Sequence, residues 1–430
     1  MPMLKSFQDR LYPILAEVVE RFGTPFHIYD EEGIRRTGRE LIAAFSGVKG
    51  FREYFAVKAL PNPRILQIMR DMGFGFDCSS VPELILSRQI GAGGDDIMFT
   101  SNNTSRSEFE AALSGGGCIL NLDDRSLVSK VPEMPELICF RYNPGSRRTG
   151  TSIIGNPVEA KFGVAHEQLL DAYRSAQARG AKRFGLHTMM VSNERNHQYM
   201  VETMRMLLQL AEWIGKELQV KLEFLNIGGG LGIPYQPEDS PLDLRAMAAE
   251  AVRLFGEFES RNGYLPKLFM ESGRYMTGPH GVLVVRAINH KDVYRKYIGV
   301  DASMSALMRP GMYGAYHHIS VLGKNPSQRQ ETVDVVGALC ENNDKFAIQR
   351  RLPDIQDGDI LVIHDTGAHG HAMGFTYNGR LRPKELLLRA DGCVELIRRE
   401  ETVADYFATL NFAPKLVAPE AGQTDLRLKG

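Results

Sequence analysis

The sequence predicts an α/β protein: a parallel (β/α)8 barrel followed by a C-terminal all-β domain. Three observations carry this. Strand-like and helix-like runs alternate every ~20 to 35 residues through the first two thirds of the chain. From about Pro279 the rhythm changes to short strands with no long helices between them. At 430 residues the chain exceeds what one ordinary core organises. The expected division is 32–278 for the barrel and 279–430, together with 1–31, for the β domain.

In chain order, Leu11 to Arg21 reads as an amphipathic helix and Pro25 to Asp30 as a short strand able to join the β domain. The barrel strands are expected at Tyr54–Lys58, Gly75–Cys78, Asp96–Thr100, Cys118–Leu122, Leu137–Tyr142, Arg183–Met190, Leu222–Ile227 and Lys267–Glu271. Helices with apolar residues at three-to-four spacing fall at Arg64–Met72, Pro82–Gln89, Arg106–Leu113, His166–Arg179, Tyr199–Leu218 and Leu244–Arg261. The connection after Tyr142 is longer, and pattern does not place its ordered part. Seven further strands follow: Val282–Ile288, Tyr294–Val300, His318–Leu322, Val333–Leu339, Ile360–His364, Glu385–Arg389 and Val394–Arg398. Only Ala418 to Gly430 reads as loosely held.

A net charge of -1 gives no electrostatic footprint for nucleic acid or an anionic membrane. No apolar run reaches membrane-spanning length, and Met1 to Phe22 lacks a signal-peptide core. A soluble cytoplasmic protein is expected. Cys78, Cys118, Cys139, Cys340 and Cys393 are scattered without CxxC spacing, which suggests neither a disulfide framework nor a zinc site.

Chemistry in such barrels sits at the C-terminal strand ends. Polar and glycine residues collect there: Lys58, Asp77, Thr100 to Asn103, Asn121 to Asp124, Arg141 and Asn143, Ser192 and Asn193, Gly228 to Gly230, and Glu271 to Arg274. A lysine at the tip of a buried strand is odd. Desolvation lowers its pKa and makes the amine a nucleophile towards an aldehyde; the plain alternative is a lysine with its head in water. Gly228, Gly229 and Gly230 leave amides bare for a phosphate, or simply make a tight turn. Glu271 suits a pyridine nitrogen that must stay protonated, or pairs with Arg274 at the surface. Cys340, next to Glu341, suits a proton donor, or merely closes a strand. His369 and His371 lie two apart without a third ligand, so a glycine-rich loop is preferred to a metal site. Tyr377 fits packing as well as ligand binding.

Together these segments resemble the fold-type III decarboxylases that use pyridoxal phosphate (PLP), most of all the diaminopimelate decarboxylases. The resemblance covers nearly the whole chain and implies an alanine racemase-like fold. It implies that Lys58 holds PLP, that Glu271 meets the ring nitrogen, and that Asp77 and Arg141 support the ring. It places Ser192, Gly228, Gly229, Gly230, Gly273, Arg274 and Tyr377 in the phosphate or substrate shell. Arg274, Arg309 and Tyr313 match residues that hold a distal carboxylate, and Glu341 matches the one that holds a distal amine. Cys340 matches a proton donor supplied across a homodimer interface, which makes both active sites composite.

Three departures bear on the substrate. Met189 stands where the family stacks a histidine on the ring; a thioether covers a ring face without tuning its charge. Val191 replaces the glycine before Ser192. Asn342 and the run Asp301-Ala302-Ser303-Met304-Ser305 also differ from the family pattern. The expected reaction is meso-diaminopimelate to L-lysine and CO2. The alternative is a paralogue acting on another amino acid such as D-lysine, D-ornithine or a conjugated diamino acid. A racemase on this architecture faces the nitrogen with arginine, which Glu271 argues against. A non-catalytic homologue would be expected to lose Lys58 or Cys340.

Overall fold

The computed structural model describes residues 3–150, 156–325, 327 and 329–412. The tail expected to be loosely held, 418–430, lies outside the described residues.

Helix α1 (Lys5–Phe22) buries Phe7, Leu11, Leu15, Val18 and Val19 along one stripe, so it starts well before Leu11. Strand β1 (Phe26–Asp30) is buried throughout. Asp30 then accepts the Gly33 N–H and caps α2 (Glu31–Ala44). Sequence pattern did not mark α2, because glycines interrupt it. Gly38 is there for close approach: a Cβ would fall 2.5 Å from Met72 Sδ.

Eight parallel strands form the barrel: β2 (Arg52–Ala56), β3 (Gly75–Cys78), β4 (Gly94–Phe99), β5 (Cys118–Leu122), β6 (Leu137–Asn143), β8 (Arg183–His187), β9 (Leu222–Asn226) and β10 (Lys267–Met270). The ring closes because β2 pairs with both β3 and β10, and β5 pairs with β6. A two-residue β7 (Val164–Ala165) adds to β6 outside the ring. The inward side chains Tyr54, Met98, Ile119, Leu137, Cys139, Phe224 and Phe269 fill the barrel as their own cluster. Outside pack α3 (Pro63–Asp71), α4 (Val81–Gln89), α5 (Arg106–Leu113), α6 (His166–Ala178), α7 (His197–Leu218) and α8 (Leu244–Asn262).

Two details correct the expected eight strand–helix repeats. Only a 3-10 turn, Arg125–Lys130, follows β5. The last strand is followed only by short α9 (Gly273–Thr277), and α2 takes the missing place between α8 and α3. Two strands also end two or more residues early. β2 stops at Ala56, so Lys58 lies in the 3-10 turn Val57–Ala59 rather than in the strand. β8 stops at His187, where Thr188 Oγ1 turns to donate to Tyr142 O at 3.0 Å.

The second sheet has nine strands: β1 with β11 (Gly281–Asp292), β12 (Lys296–Val300), β13 (Ile319–Val321), β14 (Gln330–Val336), β15 (Lys345–Pro353), β16 (Ile360–Ile363), β17 (Lys384–Leu388) and β18 (Val394–Arg398). It is mixed rather than purely antiparallel, since β1 runs parallel to β17 and β12 parallel to β14. β15 was not expected, because the middle of that strand, Ile348 to Arg351, is largely polar and exposed. This lobe is not purely β either. α1 covers one sheet face against Phe26, Ile28, Val282 and Leu386, and short helices α10 (Arg309–Tyr313) and α11 (Val403–Phe407) join it. β1 lies beside β11 with Tyr29 opposite Gly281, so the chain passes between the lobes twice at adjacent points. Among the described residues no helix is long and apolar enough to cross a membrane.

Candidate active site

A cavity of about 390 Å³ opens at the C-terminal rim of the barrel. It brings together Lys58, Asp77, Arg141, Met189, Ser192, Gly229, Gly230, Glu271, Gly273 and Arg274, all singled out in the sequence. Lys58 is half exposed, into this opening, and its Nζ donates to Asp77 Oδ2 at 2.9 Å. The expectation of a lowered lysine pKa does not hold for this ion pair. The surrounding walls disfavour the charge, but Asp77, Glu271 and Glu83 together hold the amine above its ordinary value.

Glu271 follows β10 and is almost fully buried. Its Oε1 accepts from Asn226 Nδ2 at 2.7 Å, and His187 Nε2 stands 3.3 Å from Oε2. Burial opposes its charge, yet His187, Lys58 and the Asn226 bond outweigh burial and keep the carboxyl below the usual glutamate range. Asp77 responds the other way: burial, then the Glu271 charge, raises it.

The glycine run sits against this acid. Gly228 and Gly230 take φ of 68° and 96°, which favour glycine. Gly229 has no room for a side chain, because a Cβ would lie 2.3 Å from Glu271 O. Its N–H points at Met189 Sδ, 3.2 Å away. Arg274 leans over the same rim, with Nη1 donating to Tyr235 OH at 2.6 Å and Nη2 to Ser192 Oγ at 3.3 Å. Opposite, Arg141 donates to Asp123 at 3.2 Å and stacks over Phe162 at 4.4 Å.

Other candidates lie off the cavity wall. Gly228 is buried at the base of its loop, donating to Asn226 Oδ1 at 2.8 Å. Arg309 is buried behind the wall, 5.1 Å over the Tyr235 ring, with Nε 3.4 Å from His317 Nε2. Tyr313, Cys340, Glu341 and Tyr377 are exposed outside it. Cys340 donates its N–H to Asn378 Oδ1 at 2.7 Å, which joins the thiol loop to the Tyr377 turn. Within one chain, then, Cys340 and Lys58 are not brought to the same cavity. His369 lines the cavity while His371 binds Pro383 O at 3.0 Å elsewhere.

Sequence reasoning passed over Asn226, His187, Tyr235 and Glu53. Asn226 heads the glycine motif and was legible there. Glu53 carried a signal too, as an acid inside an otherwise apolar strand. It is 1% exposed, and its Oε1 accepts the Ser272 N–H. Burial, reinforced by Glu271, pushes its pKa up to about 8.

The wall thus offers an amine, an ionised acid across from it, a glycine loop with no side chains in the way and a guanidinium. That donor set fits an aldehyde-bearing pyridine phosphate. A family model described as the pyridoxal-dependent decarboxylase, pyridoxal binding domain, matches residues 34–278. TabA of Pseudomonas amygdali pv. tabaci is 50% identical over 96% of this chain and 97% of its own. Diaminopimelate decarboxylase of Methanothermobacter thermautotrophicus is 36% identical over 94% and 95%. The solved structure of diaminopimelate decarboxylase from M. jannaschii in complex with L-lysine superposes with a TM-score of 0.84 at 29% identity, covering 92% of this chain and 93% of that one. The chain belongs to the pyridoxal-dependent decarboxylases of the diaminopimelate decarboxylase family, and its cofactor is pyridoxal phosphate.

Proposed function

We propose that the protein decarboxylates a diamino acid bearing a distal carboxylate, meso-diaminopimelate giving L-lysine and CO2. One observation carries the substrate class. Arg274 and Arg309 are both buried against Tyr235, and among the described residues neither has a carboxylate partner. Two buried cations without an acid make a receptor for anions. One serves the cofactor phosphate and both flank the place for a distal carboxylate. The L-lysine complex of the M. jannaschii relative supports the same class.

Bound PLP supplies an electron sink for cleavage at Cα. The chain does the rest. Lys58 would hold the aldehyde end. Glu271, kept ionised by His187 and Asn226, would hold a proton at the ring nitrogen, and Asp77 keeps the Lys58 amine oriented. Gly229, Gly230, Gly273, Ser192 and Arg274 would hold the phosphate, with Gly228 shaping the loop from below and Tyr377 reaching in from a second copy. Arg141 and Met189, which line the cavity, would help to hold the ring. Arg309 and Tyr313 orient the distal carboxylate and Glu341 the distal amine. Cys340, reaching in from a second copy, returns a proton to Cα. The exposed position of Cys340, Glu341 and Tyr377 away from their own cavity supports a homodimer with composite sites. The working units are 32–278 and 279–430 with 1–31, in the cytoplasm.

A second reading has support of its own. TabA is nearer in sequence than the Methanothermobacter thermautotrophicus diaminopimelate decarboxylase, at 50% against 36%, and Met189 caps a glycine amide at the cavity. Both favour a paralogue acting on another amino acid, such as D-lysine, D-ornithine or a conjugated diamino acid. Release of CO2 from each of these compounds and from meso-diaminopimelate, with Lys58→Ala as the blank, decides between them. Preference for a substrate without a distal carboxylate sinks the first reading.

A further inference from the structure

Glu53 lies on β2, below the rim and away from the cavity lining. A carboxyl placed there needs a physical reason, because burying one is costly. Its Oε1 accepts the Ser272 backbone N–H, and the Ser272 side chain lies beside the same carboxyl. Oε2 is buried with no hydrogen bond among the described residues.

Ser272 sits in the turn between β10 and α9, which carries Glu271 and touches both the glycine loop and the Lys58 turn, three parts of the site in all. Glu271 N donates to Gly228 O at 2.9 Å, tying the turn to the glycine loop. The Glu271 carbonyl lies against Gly229, where a Cβ would fall 2.3 Å from its oxygen. Gly273 lies against the Lys58 turn, where a Cβ would fall 2.7 Å from Ala59 Cβ and 3.2 Å from Ala56 Cβ. The Ser272 N–H points away from all three, into the wall, where Glu53 is its acceptor. Without an acceptor, that N–H would be an orphaned donor in a packed turn, and the turn would shift to reach another.

We propose that Glu53 is a positioning residue: by accepting the Ser272 N–H it fixes the turn that sets Glu271, the glycine loop and the Lys58 turn at their mutual distances. The inference rests on the reading that these three groups hold the cofactor. It requires only an acceptor oxygen, so Gln replaces Glu53 and Leu does not.

The test is titration of each cofactor-free variant with pyridoxal phosphate, following the visible absorbance of the bound cofactor, with melting of the cofactor-free protein alongside. Glu53→Gln is expected within about three-fold of the wild-type dissociation constant, and Glu53→Leu weaker by about ten-fold or more. Proline has no N–H, so Ser272→Pro removes the donor that needs Glu53. In the Ser272→Pro background, adding Glu53→Leu is expected to change affinity by less than about three-fold, a coupling that general loss of packing would not produce. This arm also holds if Glu53→Leu alone does not fold. Wild-type affinity in Glu53→Leu, or an equal loss in both backgrounds, overturns the inference while leaving the cofactor site standing. A wild-type chain that takes up no cofactor overturns the site reading and the inference together.

Discussion

Asn226 bridges two parts of the site with one side chain: Nδ2 donates to Glu271 Oε1 at 2.7 Å, and Oδ1 accepts the Gly228 N–H at 2.8 Å. The acid and the glycine loop therefore share one anchor, placed by the last residue of β9. Asn226→Asp exchanges the donor for a second carboxylate facing Glu271. Cofactor affinity is expected to fall by about ten- to a hundred-fold, from a buried like-charge contact and a lost charge-assisted bond. Equilibrium titration with pyridoxal phosphate measures it.

Tyr235 serves the two arginines differently, its hydroxyl accepting from Arg274 and its ring lying under Arg309 at 5.1 Å. Tyr235→Phe is expected to raise KM for the amino acid by a few-fold, and Tyr235→Leu by about ten-fold or more, with kcat changed less. Steady-state CO2 release reads both. Equal KM values in wild type and Tyr235→Leu would remove the substrate from this corner.

Gly229→Ala puts a methyl group 2.3 Å from the Glu271 carbonyl oxygen. The clash is with backbone, so a rotamer change cannot relieve it. A loss of about 1 to 3 kcal/mol in stability, and cofactor uptake at least ten-fold weaker, are expected from urea unfolding and titration.

Acid should unfold the protein through buried histidines. Each takes a proton near 6.5 when unfolded. In the fold, burial with His371 nearby lowers His27 to about 4, and burial lowers His280 and His317 to about 3, with Arg36 and Arg309 adding to it. Between those values the unfolded chain binds more protons, so this stability is complete above about pH 6.5 and is lost as pH falls below it. Glu53 has the opposite sign: its folded pKa of about 8 exceeds the unfolded value of about 4.3, so its share declines as pH rises between them. Melting temperature against pH should fall on the acid side. From about pH 6.5 to 8, where the histidine share is already complete, the decline due to Glu53 should be absent in Glu53→Gln. An unchanged melting temperature from pH 6.5 to 4 would contradict the histidine account.

Local pattern made much of the fold legible. Gly75–Cys78 and Cys118–Leu122 are strands with the expected ends, and Arg106–Leu113 is the expected helix, capped by Ser105. These are short apolar runs between strong turn or cap signals. α2 escaped because Gly38 serves packing on Met72 at the expense of helix propensity. β15 escaped because its exposed middle carries Gln349, Arg350 and Arg351. At the site, Lys58, Glu271 and the glycines were legible because their residue types are unusual at strand ends. Tyr235 was not, since an isolated tyrosine in a loop carries no spacing signal and gains its place only through Arg274 and Arg309.

The paired crossings at β1 and β11 have a mechanical consequence. A single covalent strap would let one lobe swivel about the other; two straps hydrogen-bonded side by side resist both twist and opening, much as a door hung on a full-length hinge pin cannot tilt. Access to the cavity would then be set by the rim loops rather than by rotation of one lobe against the other.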